Sequence, residues 1–191
     1  MANEPAELLR AFLQSLDLDE SKDPELGDTP HRVTELYREL FAGLHSDPPT
    51  PSTFLLDDDQ AAGDPVVIAA LPFYSMCVHH LLPFFGFVDV AYVPQRKMVG
   101  FGSVGRIVDH FARRPQVQER LVAQIADHLQ ATLQPQGLLV RLRARQLCME
   151  MRGARKRGEL ISLAARGCLR NGERRAELLA QFDRAKGDFP Q

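Results

Sequence analysis

Apolar positions recur at helical spacing twice near the start of the chain. Leu8, Leu9, Phe12, Leu13 and Leu16 line one face, and Val33, Leu36, Tyr37, Leu40, Phe41 and Leu44 line another behind Thr29-Pro30, an N-cap followed by a first-turn proline. The stretch HSDPPTPSTFLLDDDQAAGDP that follows has no period and is rich in Pro, Asp and Ser, so it reads as a connection. The expected organisation is therefore a helical arm over residues 1–45, a connecting loop over 46–65 and a main domain over 66–191.

Within the main domain, VVIAALPFYS and FFGFVDVAYVP have the β-branched, aromatic and alternating character of strands, and MCVHHLLP lies between them as a loop. Helical patterns follow over residues 104–113 and 115–133, the second with Val117, Leu121, Ile125, Leu129 and Leu133 on one face. Gln134-Pro135-Gln136-Gly137 ends it. LLVRLRARQLCMEM then alternates apolar residues with Arg141, Arg143 and Arg145, and ELISLAARGCLR can pair with it as a hairpin. A last helix is expected over residues 173–185. Strands, helices, then strands again predict an α+β domain.

Composition narrows the classes. With 23 basic and 25 acidic residues in 191 and a net charge of -2, nothing favours nucleic acid or an anionic membrane as a general partner, so any anion site is local. No apolar run approaches the ~20 residues that span a bilayer, and the acidic, amphipathic N-terminus does not read as a signal peptide. A cytoplasmic protein is expected. Its three cysteines, Cys77, Cys148 and Cys168, then point to metal ligation or simple burial rather than a disulfide framework.

Candidate chemistry centres on Met76-Cys77-Val78-His79-His80. A Cys-x-x-His pair in a tight loop is a plausible half of a zinc site, although a buried cysteine near an unrelated histidine has the same spacing. Cys148 is a third donor, expected on a strand face with Leu142, Ala144 and Gln146. Three protein ligands leave a coordination position open for water, as in catalytic rather than structural zinc sites. If Cys77 and His80 ligate, His79 projects elsewhere and suits proton transfer near neutral pH.

Four segments together resemble the GTP cyclohydrolase I family: DTPHRV (residues 28–33), MCVHH with LLPFFG, GRIVDHFARRPQVQERL (residues 105–121) and CMEMRG (residues 148–153). The resemblance runs from Thr29 to about Gly167 in the family's order. It implies a tunnelling fold, a four-stranded antiparallel sheet with two helices inserted between strands 2 and 3. It further implies a homodecamer of two pentameric rings with active sites at subunit interfaces. The implied zinc ligands are Cys77, His80 and Cys148. The implied guanine-recognising residue is Glu119, with Gln118 beside it, and the implied phosphate-binding residues are Arg32, Arg106 and Arg152. The implied reaction hydrates guanine C8, opens the imidazole ring to a formamide, releases formate and closes a dihydropterin ring, with Zn2+ as cofactor and histidines moving protons.

The chain departs from the family where proton transfer and phosphate binding are concerned. Gln146 stands where the family normally has a second catalytic histidine beside His79, and glutamine exchanges no proton near neutral pH. Glu35 and Ser103 stand where lysines are common, and Val78 replaces a glutamate. Three readings follow: a GTP cyclohydrolase; a divergent relative acting on a less phosphorylated guanine nucleotide such as GMP, or stopping at an early formamide; and a catalytically silent zinc-containing binding subunit. Nitrile reductases share the tunnelling fold, but their characteristic arrangement, with a metal-free nucleophilic cysteine, is not present here.

Overall fold

The computed structural model describes residues 4–56 and 63–185, so residues 57–62 of the expected connection and the end of the expected main domain lie outside the described residues. The chain divides into two units, Met1–Ala42 and Gly43–Gln191. In the first, α1 (Pro5–Gln14) and α2 (Thr29–Leu40) each begin with a proline in the first turn, where its missing N–H costs nothing. Arg10 bridges to Glu20 at 2.8 Å, Arg32 lies 3.5 Å from Asp28, and Arg38 pairs with Glu35 one turn earlier.

The second unit is α+β. Its elements are β1 (Thr53–Leu55), β2 (Val66–Cys77), β3 (Pro83–Val93), β4 (Lys97–Val99), α3 (Phe101–Ala112), β5 (Pro115–Gln116), α4 (Gln118–Leu133), β6 (Gly137–Gln146), α5 (Leu147–Glu150), β7 (Glu159–Gly167) and α6 (Glu173–Arg184). The main sheet is mixed and has five strands in the order β5-β2-β3-β6-β7, with β2, β3, β6 and β7 antiparallel. The fifth strand, β5, lies parallel to the end of β2 and comes from residues whose pattern predicts the start of a helix. Pro115 explains the difference, since the proline biases the residue before it away from helical geometry, and α4 begins only at Gln118. A second small sheet pairs β1 with β4, so the segment that reads as a connection contains a strand.

Alternation along the strands decides what each sheet face covers. Phe84, Val88, Val90 and Tyr92 of β3 and Leu138, Val140, Leu142 and Ala144 of β6 pack with Val104, Ile107 and Val108 of α3 and Leu121, Ile125 and Leu129 of α4. Ile107, Leu121, Ile125 and Leu129 are fully buried, and each such side chain contributes roughly 1.5–3 kcal/mol, enough to fix both helices on this face. The opposite face carries Ala91, Val93 and Leu139, covered by Leu178 and Phe182 of α6. It also carries Arg141, which reaches Asp89 and Asp183 at 2.8 and 2.7 Å and lies 5.1 Å from the Phe182 ring centre.

One irregularity matters for the site. Between Ile68 and Leu71 the pairing of β2 with β3 shifts, and Ala70 adopts φ +57°. Asp89 Oδ1 accepts from Ala70 N–H at 2.8 Å and so pins this bulge. Ile68 faces α3 and α4 before it, and Leu71, Phe73 and Cys77 face them after it. Close packing also dictates Gly86, where a Cβ would sit 1.9 Å from Arg143 O on β6. No helix among the described residues is long and apolar enough to cross a membrane.

Candidate active site

Cys77 is the last residue of β2, and a tight turn follows it. Its carbonyl accepts from His80 N–H and Leu81 N–H at 3.4 and 2.8 Å, while its own N–H donates to Leu82 O at 2.8 Å. Leu81 takes φ +50°, which closes the turn and starts β3. This places His79 and His80 side by side on the surface with ring centres 6.2 Å apart and planes at 73°.

The third donor arrives by a different route from the expected one. Gln146 pairs with Phe84 and ends β6; Cys148 sits in the helical turn α5 rather than on a strand. Arg145 holds that turn by a fork on Glu150, with Nε to Oε1 at 2.9 Å and Nη2 to Oε2 at 2.5 Å. The guanidinium holds the Glu150 carboxyl below its ordinary range. Sequence reading placed Arg145 only in the alternation of a strand and did not pair it with Glu150; a five-residue separation across a strand end is not a helical contact period.

With α5 so placed, the ligating atoms of Cys77, His80 and Cys148 all lie within 4.8 Å of one another. Burial foremost, then the neighbouring Cys77 sulfur, push the Cys148 thiol up, with Arg152 opposing. Two sulfurs crowded in this way ionise together only beside a cation, and two soft thiolates with an imidazole can hold a metal ion. His79 Nδ1 is 3.7 Å from Cys77 Sγ, so its ring leans on the cluster rather than away from it.

Residues of the RRPQVQERL segment reach the cluster through β5. Gln116 pairs with Cys77, and its carbonyl accepts from Val78 N–H at 2.9 Å. Its buried side chain donates to Phe111 O and Gln124 Oε1 and accepts from Arg120, which holds the link between α3 and α4. Two residues on, buried Gln118 donates to Leu142 O and Leu160 O at 3.3 and 2.8 Å and accepts from Gln146 Nε2 at 3.0 Å. Glu119 is exposed in the first turn of α4, where the helix dipole favours its charge.

The phosphate-binding candidates are not gathered to the same degree. Arg152 is exposed just beyond α5, close enough for its charge to act on Cys148. Arg106, exposed on α3, donates to Ser103 Oγ at 2.9 Å, and buried Ser103 also accepts from Ser52 N–H at 3.0 Å. Arg32 and Glu35 belong to the first unit, each in its own ion pair. A pocket of about 150 Å³ has Gln146 and Met149, either side of Leu147-Cys148 in the chain, with Lys156, Glu159 and Leu160 among its walls.

Fold and donor set together define an α+β protein whose three convergent donors can hold a metal ion. The chain belongs to the GTP cyclohydrolase I family, a family of hydrolases: the family model described as GTP cyclohydrolase I matches residues 6–183. GTP cyclohydrolase 1 of Geobacillus sp. (strain WCH70) is 41% identical over 175 residues, covering 90% of this chain and 92% of that protein. GTP cyclohydrolase 1 of Bacillus cytotoxicus is 39% identical over 175 residues, covering 90% and 91%. Among solved structures, an archaeosine synthase QueF-Like in the apo form matches with a TM-score of 0.44 at 17% identity, covering 54% of this chain and 93% of that one.

Proposed function

We propose that this protein is a zinc-dependent GTP cyclohydrolase that opens the imidazole ring of GTP at C8 and yields dihydroneopterin triphosphate and formate. The convergence of Cys77, His80 and Cys148 within 4.8 Å, in a chain of this family, carries the reading. Two cysteines and a histidine suit a tetrahedral Zn2+, whose donor-to-donor distances of roughly 3.3–3.8 Å need only a small contraction of the cluster. When bound, Zn2+ supplies Lewis acidity that makes water nucleophilic near neutral pH.

The remaining work falls to the side chains. Glu119 accepts from the guanine N1–H and amino group, fixing the base with C8 toward the cluster. His79 has Nδ1 against Cys77, which leaves Nε2 to exchange protons as the C8–N bonds break. Arg106 and Arg152 offer paired donors to the phosphates. Two waters enter during ring opening and formate release, and one leaves on ring closure.

The reading extends to a tunnelling fold assembled as a cytoplasmic homodecamer of two pentameric rings with interfacial active sites. In support, Tyr74 and Ile161, on the Arg141 side of the sheet, are 72% and 55% exposed, and β7 is an edge strand among the described residues. A second reading, a guanine nucleotide with fewer phosphates as substrate, is favoured by one observation: Ser103 engages Arg106 where a lysine would add positive charge.

Zinc-loaded protein incubated separately with GTP, GDP, GMP and guanosine, with formate and product followed by mass spectrometry, separates the readings. Dihydroneopterin triphosphate from GTP is expected. Turnover confined to GMP, or a formamide that accumulates, would replace it with the second reading, and zinc and nucleotide binding without turnover would leave a silent binding subunit.

A further inference from the structure

The amide of Gln146 has a fixed orientation. Gln118 is 2% exposed, and its Nε2 faces two backbone carbonyls, Leu142 O at 3.3 Å and Leu160 O at 2.8 Å. Turning that amide over would set its oxygen against both carbonyls, so Gln118 Oε1 must be the acceptor in the remaining contact. Gln146 then has to present Nε2 to Gln118, at 3.0 Å, and its own Oε1 becomes the branch without a protein hydrogen bond among the described residues. Gln146 lies on the wall of the pocket of about 150 Å³, two residues from Cys148. Two strand carbonyls, of Leu142 and Leu160, thus set, through Gln118, the polarity of a half-buried amide two residues from Cys148.

A neutral acceptor held in this way selects for a ligand donor. The donors of a guanine nucleoside 5′-phosphate, outside its phosphates, are N1–H, the 2-amino group and the ribose 2′ and 3′ hydroxyls. Glu119 takes the base donors in the reading proposed above, on which this inference rests. We propose that Gln146 Oε1 accepts a hydrogen bond from a ribose hydroxyl of the nucleotide, with Gln118 as its positioning residue. Gln146 therefore anchors the sugar rather than exchanging a proton, and it discriminates ribonucleotides from a deoxy analogue by leaving its oxygen unpaired when the hydroxyl is missing.

The test compares wild type with Gln146→Leu, which removes both polar atoms, and with Gln146→Met, which also keeps the length, should the leucine variant not fold. Calorimetry on full-length zinc-free protein gives Kd for GTP, 2′-deoxy-GTP and 3′-deoxy-GTP without consuming them, and the zinc-loaded enzyme gives kcat and KM for formate release. Gln146→Leu is expected to weaken GTP binding about tenfold or more while binding one of the two deoxy analogues as wild type does. The loss should fall on KM more than on kcat, and Gln118→Met should lower the same ribose discrimination. Equal GTP affinity in wild type and Gln146→Leu, or a loss that is the same for GTP and both analogues, overturns the assignment while leaving the proposed activity intact. Failure of wild type to bind GTP at all removes both.

Discussion

Metal binding at Cys77, His80 and Cys148 should be steeply pH-dependent, and the slope counts the thiols. A thiol must lose its proton to ligate, and ordinary cysteine thiols are protonated near neutral pH. Each ionising ligand makes apparent affinity rise tenfold per pH unit, about 1.4 kcal/mol, so two cysteines give about 2.7 kcal/mol, or about a hundredfold, per unit. Burial and the adjacent sulfur raise the Cys148 thiol, which keeps its share of the slope at higher pH. Competition of Zn2+ between the protein and a calibrated chelator, run between about pH 6.8 and 7.8, reads this directly. Replacing Cys148 by Ser should lower affinity by at least about a hundredfold and cut the slope to about one proton. A wild-type slope near one, or an unchanged slope in Cys148→Ser, would refute the idea that both sulfurs ligate.

Two further outcomes concern the frame around the site. Asp89→Asn leaves buried Arg141 with the outward Asp183 as its one counter-ion among the described residues, so it should cost about 3 kcal/mol in urea unfolding, whereas the double change Asp89→Val with Arg141→Met should cost less than the sum of its single changes; additive losses would show that the pair is not coupled. His110, near Ser46 Oγ at 3.4 Å and Arg114 Nη2 at 2.5 Å, titrates below the ordinary histidine range because of burial first, then the charges of Arg114 and His128. The unfolded chain takes up that proton near pH 6.5 and the folded chain only at lower pH, so stability falls as pH drops below about 6.5, by at most about 1.4 kcal/mol per unit. In His110→Gln this component of the urea-unfolding slope should vanish; an unchanged slope would move it to other groups.

Much of this was legible in the residues. The donor trio and the order of elements follow from motif spacing and hydrophobic period, because both are local properties. What the residues did not disclose are pairings between distant segments. Pro115-Gln116 carries no strand pattern of its own and becomes β5 only because β2 offers it an open edge. Arg141 and Arg143, read as the polar half of an alternating strand, are both 4% exposed, since the acidic groups Asp89 and Glu159 and the rings of Phe182 and Phe87 enclose them. The direction of the Gln146 amide depends on the Leu142 and Leu160 carbonyls, which no side-chain pattern encodes.

The bulge at Ala70 acts like a frameshift in the pleat. Side chains on a strand change face with every residue, so the one extra residue between Ile68 and Leu71 inverts the address of every position after it, down to Cys77 seven residues beyond. Flattening the bulge with Ala70 kept in the strand would turn the Cys77 sulfur to the α6 side of the sheet and empty the donor set without touching a ligand, whereas deleting Ala70 would leave a regular pleat with Ile68 and Cys77 still on one face. Asp89, which pins that extra residue from the neighbouring strand, therefore guards the parity of a site to which it contributes no atom.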